Sequence, residues 1–428
     1  MKRIFIRILV LLAGLVLCGS AVAATVEGTA PDGTGTYRIE TNGDDTAVLK
    51  RWESAVPDVV VPSELEGCRI TALKGWLTPV FSDGVETVVL PDGLERVGTM
   101  AFKGLRSLKA VEIPDTVTEI EQFAFGDCTS LREVRLPSAL ADLPDSCFTG
   151  CTGLVRIELP PDLVSIGKYA FSGCVSLEQC DLPDKLISIG DNAFFRCRSL
   201  KRAELPGTLR SIGFGAFTLC DGIQSMRVPA SVTEMGYNPF AGMRLESFSL
   251  EEGGAYLDYE DGLLYSLEDA RLIGCPIQPA DGRVVIRPGT LHVEEMAFYA
   301  FTRMQEVIIP DSVERISAFA FAGCAGLREI DLPDSLKTVG MMSFLDCLAL
   351  TEVTIPDGTE ELHSWAFQGC AALRRAVIPD SVTDMGTCVF IDCPNVVLVV
   401  GEDAYAREYA RANGYPCILR DARDAAGD

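Results

Sequence analysis

Apolar positions along this chain recur on two superimposed periods. The longer is 23 residues: phenylalanine stands at Phe102, Phe125, Phe148, Phe171, Phe194, Phe217 and Phe240, then in the same spacing at Phe298, Phe321, Phe344, Phe367 and Phe390. The shorter is two, as in Val134-Arg135-Leu136 and Ile157-Glu158-Leu159, and alternation over so few residues predicts a strand with one buried face. Proline follows that strand at Pro114, Pro137, Pro160, Pro183, Pro206 and Pro229, and from Pro310 to Pro379, where its missing N–H ends the pairing. Two further apolar steps, such as Val117 and Ile120, lead back to phenylalanine. A unit of this length makes one turn of a coil and cannot bury its own apolar side. Stacking supplies the missing cover, with strands about 4.8 Å apart and like side chains in columns. The pattern predicts a solenoid.

The segments that lack the period have their own signatures. In 24–58, Thr36 to Thr41 and Thr46 to Trp52 alternate on either side of Asn42-Gly43-Asp44-Asp45, which predicts a β-hairpin cap. The repeat then runs as a first block over 59–250 and a second over 285–401. Between them, in 251–284, Gly262 to Tyr265 and Arg271 to Gly274 flank a polar turn, which predicts a hairpin inserted into an expanded repeat. Its Tyr256, Tyr259 and Tyr265 read as rings packed on the solenoid side in preference to an exposed contact patch. Over 402–419, Tyr405, Tyr409 and Ala412 fall on one helical face and Gly414 is a natural stop, so a helical cap and a last strand are expected, followed by a polar tail at 420–428.

The run Leu131-Arg-Glu-Val134-Arg-Leu136-Pro137, and Ala-Phe-x-Gly-Cys within Ile316 to Leu332, resemble the BspA-type subclass of leucine-rich repeats over roughly residues 59–401. That resemblance implies a repeat solenoid with a parallel β-sheet. It also implies a non-catalytic role in protein binding or adhesion at a bacterial cell surface or outside the cell. A structural envelope scaffold is the alternative, and an enzyme of unrecognised type the third reading.

Charge and targeting narrow the partners. Lys2, Arg3 and Arg7, an apolar run from Ile8 to Leu17 and then Ala21-Val22-Ala23 read as a signal peptide, residues 1–23, cleaved before Ala24. The protein is therefore expected to be secreted or at the cell surface. Cys18 invites a lipoprotein reading, but Leu17 stands where such a site wants a small residue. Cleavage removes three cations and no acid, moving the net charge from −24 to −27. A phosphate backbone needs a basic face, so nucleic acid is excluded as a partner. No second apolar run is long enough for membrane insertion after cleavage.

Candidate chemistry is sparse. Nine of the 16 cysteines form a ladder three residues after phenylalanine (Cys128, Cys151, Cys174, Cys197, Cys220, Cys324, Cys347, Cys370, Cys393), which reads as a small buried packing slot with mostly free thiols, not a disulfide framework. The Pro-Asp steps, from Asp92 to Asp380, form a partial acidic column, read as solvated turn aspartates since no second calcium ligand recurs with them. The two histidines, His292 and His363, have no nucleophile, zinc partner or phosphate loop beside them. No catalytic residue, metal ligand or cofactor is therefore expected. The informative surface is the outward face of the main sheet. In the first block opposite signs neighbour one another along the stack: Glu133 and Arg135, Arg156 and Glu158, Gln179 and Asp181, Arg202 and Glu204, Ser225 and Arg227. The second block is more acidic, and Glu306, Ile308, Glu329, Asp331, Glu352, Thr354, Arg375 and Val377 are the candidate sites for a protein partner.

Overall fold

The computed structural model describes residues 23–75, 77–402 and 404–420, so all but Ala23 of the expected leader, and the tail beyond Arg420, lie outside the described residues. The chain is a parallel β-solenoid. Each coil contributes a short strand to a main sheet, as in Glu133–Arg135 and Arg156–Glu158, which pair in parallel with Val134 beside Ile157. After the proline, the two apolar steps form a second sheet of two-residue strands. Asp142–Leu143, Ser165–Ile166, Ser188–Ile189 and Ser211–Ile212 lie side by side in it. Glycines beside these strands are required by close approach: a Cβ on Gly167 or Gly190 would stand 2.6 Å from a backbone nitrogen of the preceding coil. The main sheet is not one unbroken ladder. Regular pairing lapses at 202–204 and 329–331, although Ala203 and Ile330 keep the inward position.

Phenylalanine fills the third side. From Phe102 to Phe217 successive rings are stacked with centroids 5.0, 5.1, 5.6, 5.2 and 5.2 Å apart. Each is flanked by tight turns that hold a residue such as Phe123 or Tyr169 in the left-handed region (φ 57° in both), a conformation bulky side chains seldom adopt. The column extends one coil further than the period shows, to Phe81, stacked 5.0 Å from Phe102. Beyond it Trp52 of the N-terminal hairpin pairs with Phe81 and stacks on Tyr37, so the hairpin closes the column. The opposite end is closed by Tyr415, edge-on to Phe390, and by Tyr409 behind it.

The cysteine slot does more than fill space. All nine ladder thiols donate to the carbonyl of the preceding coil's phenylalanine, for example Cys151 Sγ to Phe125 O at 3.0 Å and Cys174 Sγ to Phe148 O at 3.1 Å. A parallel ladder of hydroxyls, including Thr116, Ser231, Ser335 and Ser381, donates to main-chain carbonyls of the coil before, at 2.7 to 2.8 Å. The hydroxyls satisfy buried turn carbonyls, whereas each phenylalanine carbonyl also accepts a main-chain N–H of its own coil, so the thiol is its second donor.

The insertion is a three-stranded antiparallel meander, Leu257–Glu260, Leu263–Ser266 and Arg271–Gly274, one strand more than the hairpin expected. Its last strand rejoins the solenoid by pairing in parallel with His292–Val293. Tyr265 is buried, Tyr259 packs 4.8 Å from Phe248, and the Tyr256 hydroxyl accepts from Arg271, so the three rings serve the junction. The meander also divides the core. Leu264 and Ile273 join the apolar cluster of the first block, while Leu263, Tyr265 and Leu272 join that of the second.

At the C-terminus the helix spans Tyr405–Asn413, and Gly414 stops it at φ 76° with its N–H on Ala410 O. Its buried face is Ala406, Tyr409 and Ala410, which corrects the expected face: Tyr405 is 43% exposed and Ala412 is exposed. The Tyr409 hydroxyl accepts from Val389 N at 3.0 Å, and that anchor sets the helix rotation. Cys417–Leu419 then adds a parallel last strand.

Candidate interaction surface

The strands of the main sheet place two side chains outward per coil, because the middle residue faces the core. In the first block this face neutralises itself. Arg135 pairs with Asp115 at 3.2 Å, Arg156 with Glu158 at 2.5 Å, Arg202 with Asp181 at 3.0 Å and Arg227 with Glu251 at 3.1 Å. These pairs are solvent-exposed and contribute little stability each, about 0–1 kcal/mol. Their effect is to leave little unspent charge.

The second block differs. Glu306, Ile308, Glu329, Asp331, Glu352 and Thr354 are all exposed. Glu306 pairs with Arg283 at 3.2 Å, and Ile308 stands beside the equally exposed Val285. Glu329, Asp331 and Glu352 have no ion-pair partner among the described residues. Val377 departs from expectation: it is only 5% exposed, and Arg375 is half-buried. The pairing explains why. Thr354, Val377, Val399 and Ile418 form one outward row of β-branched side chains, and Arg420 reaches back across this end of the sheet to Asp357 at 3.2 Å. The exposed candidate surface therefore ends at Glu352 and Thr354.

At the other end of the same face lies a surface that the charge pattern did not reveal. A trough of about 700 Å³ runs over the first coils, lined by Val60, Val89, Ala110, Glu112 and Arg135 among others. Val60 there is 65% exposed. The signal was present in the sequence as valine at outward positions of Val59-Val60-Val61 and Val88-Val89, where later coils carry charge.

The remaining candidates are scattered. His363 lies 3.3 Å from Glu361, and His292 sits on the second sheet between Arg271 and Arg315, its basicity lowered by burial and then by Arg315. Glu294 is 3% exposed and is held above the usual carboxylate range by burial, with Arg271 at 3.9 Å opposing the shift. Among the described residues no group of three or more His, Cys, Asp or Glu is placed to hold a metal ion, and no helix is long and apolar enough to cross a membrane.

Comparison with known proteins adds to this geometry. The sequence profile of the BspA type leucine rich repeat region matches residues 81–200, 144–260 and 284–403. Among solved structures, a leucine rich cell surface protein from Faecalibacterium prausnitzii A2-165 is 24% identical with a TM-score of 0.65, over 92% of this chain and 98% of that one. The pneumococcal vaccine antigen PcpA is 17% identical with a TM-score of 0.53, over 94% of this chain and 100% of its own. At these identities the likeness is one of fold. No curated protein matches the chain.

Proposed function

Because the chain belongs to the BspA-type leucine-rich-repeat family, we propose that it is a non-catalytic protein-binding or adhesion surface, working at the cell surface or outside the cell. Three things support the export half of this reading: the N-terminal basic–apolar–small pattern of residues 1–23, the cell-surface description of the Faecalibacterium protein and the antigen status of the pneumococcal one. The binding half rests on one observation. Glu329, Asp331 and Glu352 stand exposed and without an ion-pair partner among the described residues, on a sheet whose other charges are largely paired. A rigid array of uncompensated acids suits a partner that presents lysine and arginine, and such complementarity acts mainly on association rate and specificity.

The experiment is a pull-down with purified residues 24–428 against extracellular proteins and envelope fractions, followed by affinity measurement for whatever is retained. The Glu329→Lys/Glu352→Lys double variant is expected to bind at least tenfold more weakly at low ionic strength. Unchanged affinity would remove this face as the site. Retention of envelope material alone would favour the scaffold reading, whereas a small molecule that raises the melting temperature would point to an enzyme.

A further inference from the structure

The repeat breaks between Phe240 and Phe298, and at the break a cleft of about 680 Å³ opens on the turn edge where the two blocks meet. Its charge runs against the rest of the molecule. Arg198 and Arg244 reach it from the first block and Arg303 from the second, with Gln278 of the insertion and Thr302 beside them; the one acid in the lining is Asp221. Three guanidinium groups against one carboxylate leave a local excess of two positive charges, in a chain whose net charge is −24. Asp221 pairs with Arg198 at 4.0 Å and leaves Arg244 and Arg303 uncompensated. Arg244 and Arg303 are exposed and have no ion-pair partner among the described residues.

Sequence position explains how the cleft arises. Arg198 and Arg244 occupy the slot four residues after phenylalanine, and Asp221 lies in that slot on the coil between them. The slot three residues after phenylalanine, cysteine in nine of the twelve coils, is Met243 here, and the insertion contributes Pro276 and Gln278 to the wall. The volume falls within the range of about 300–1,000 Å³ typical of small-ligand sites. Guanidinium groups present rigid forks of donors that match carboxylate, sulfate and phosphate oxygens. Concave basic sites also concentrate anions from solution.

We propose that this cleft is an anion-binding site that spans the two blocks and takes a ligand bearing two or more carboxylate, sulfate or phosphate groups, held by Arg198, Arg244 and Arg303. It is separate from the sheet face of the proposed function, and either can fail without the other. The test is isothermal titration of the full chain with three probes, citrate, pyrophosphate and a heparin-derived hexasaccharide, at low and at physiological ionic strength. At least one probe is expected to bind at one site per chain, and which of them binds identifies the anion. The Arg244→Gln/Arg303→Gln double variant should then bind at least tenfold more weakly. Arg106→Gln, in the same slot of the first phenylalanine coil and outside the cleft, should bind as the parent does. Both substitutions fall on exposed side chains, so near-ultraviolet circular dichroism should stay unchanged. Absence of saturable binding by all three probes, equal binding by the double variant, or an equal loss in Arg106→Gln would overturn the proposal.

Discussion

Why cysteine recurs on this edge is answered by its thiol. Alanine would fit the slot, and serine would fit and donate, yet the position needs a weak donor within an apolar stack. Cys174 is buried, donates to Phe148 O at 3.1 Å and sits against the phenylalanine column. Cys174→Ala removes that hydrogen bond while Phe148 O keeps its main-chain donor, Cys151 N at 3.1 Å, so the loss is one net hydrogen bond, about 0.5–1.5 kcal/mol. Cys174→Ser keeps a donor, so its urea midpoint should fall between those of the parent and the alanine variant. An alanine variant as stable as the parent would show that the slot is valued for volume alone. The same burial governs pH dependence. Desolvation pushes the thiols of Cys151, Cys174, Cys197, Cys220 and Cys324 above their ordinary value. The folded state therefore keeps protons that the unfolded chain releases from about pH 8.5 upward. Stability from this source is fully present below that pH and is lost as pH rises toward the folded values. Urea midpoints should be flat from pH 7 to 8 and then fall steadily, and a midpoint unmoved at pH 10 would contradict the burial of protonated thiols.

At the scale of elements, the strand after each aliphatic position was legible because it alternates, and the phenylalanine column because its spacing never varies within a block. The second sheet was not. Its strands are two residues long, as at Ser165–Ile166, and too short to show alternation of their own. Phe81 escaped notice because it lies 21 residues before Phe102, off the period, although its ring stacks as well as the others. The helix at the C-terminus was placed correctly but turned to the wrong face. Tyr405, Tyr409 and Ala412 satisfy helical spacing, and so do Ala406, Tyr409 and Ala410; only the hydrogen bond from Val389 to the Tyr409 hydroxyl decides between them. Of the candidate surface, outwardness was readable from period-two alternation for six positions, Glu306 to Thr354. It failed at Val377, where a neighbouring row of branched side chains and Arg420 intervene. Pairing of charges across coils, which singles out Glu329, Asp331 and Glu352, depends on rotamers that no spacing encodes.

The whole molecule is two stacks joined through one two-sided layer. In a linear array, stability is the sum of each coil's own contribution and its contacts with neighbours, so a weak junction sets how far unfolding spreads. Here the apolar core is divided by the meander, with Leu264 on one side and Leu263 and Tyr265 on the other. Two links cross it. One is the parallel pair Arg271–Leu272 with His292–Val293. The other is Asn238, 3% exposed, whose side-chain amide donates to Met296 O at 2.7 Å and to Ala297 O at 3.3 Å, bypassing the insertion. Ala297 O also accepts from Cys275 N at 2.9 Å and Met296 O from Tyr299 N at 2.9 Å, so loss of the amide removes two hydrogen bonds without orphaning either carbonyl. Asn238→Ala should cost about 1–3 kcal/mol, at about 0.5–1.5 kcal/mol for each hydrogen bond removed, and this cost falls at the junction, not within either stack. Calorimetry of the parent is expected to show one transition, and the variant two, with the first- and second-block cores melting separately. Isolated blocks would not be needed to assign them: Trp52 and Trp76 precede the insertion in sequence and Trp365 follows it, so fluorescence of Trp52→Phe/Trp76→Phe and of Trp365→Phe versions of the variant would report each transition alone. A single transition in the variant, shifted or not, would mean that the parallel strand pair and the other contacts of the meander suffice to couple the stacks.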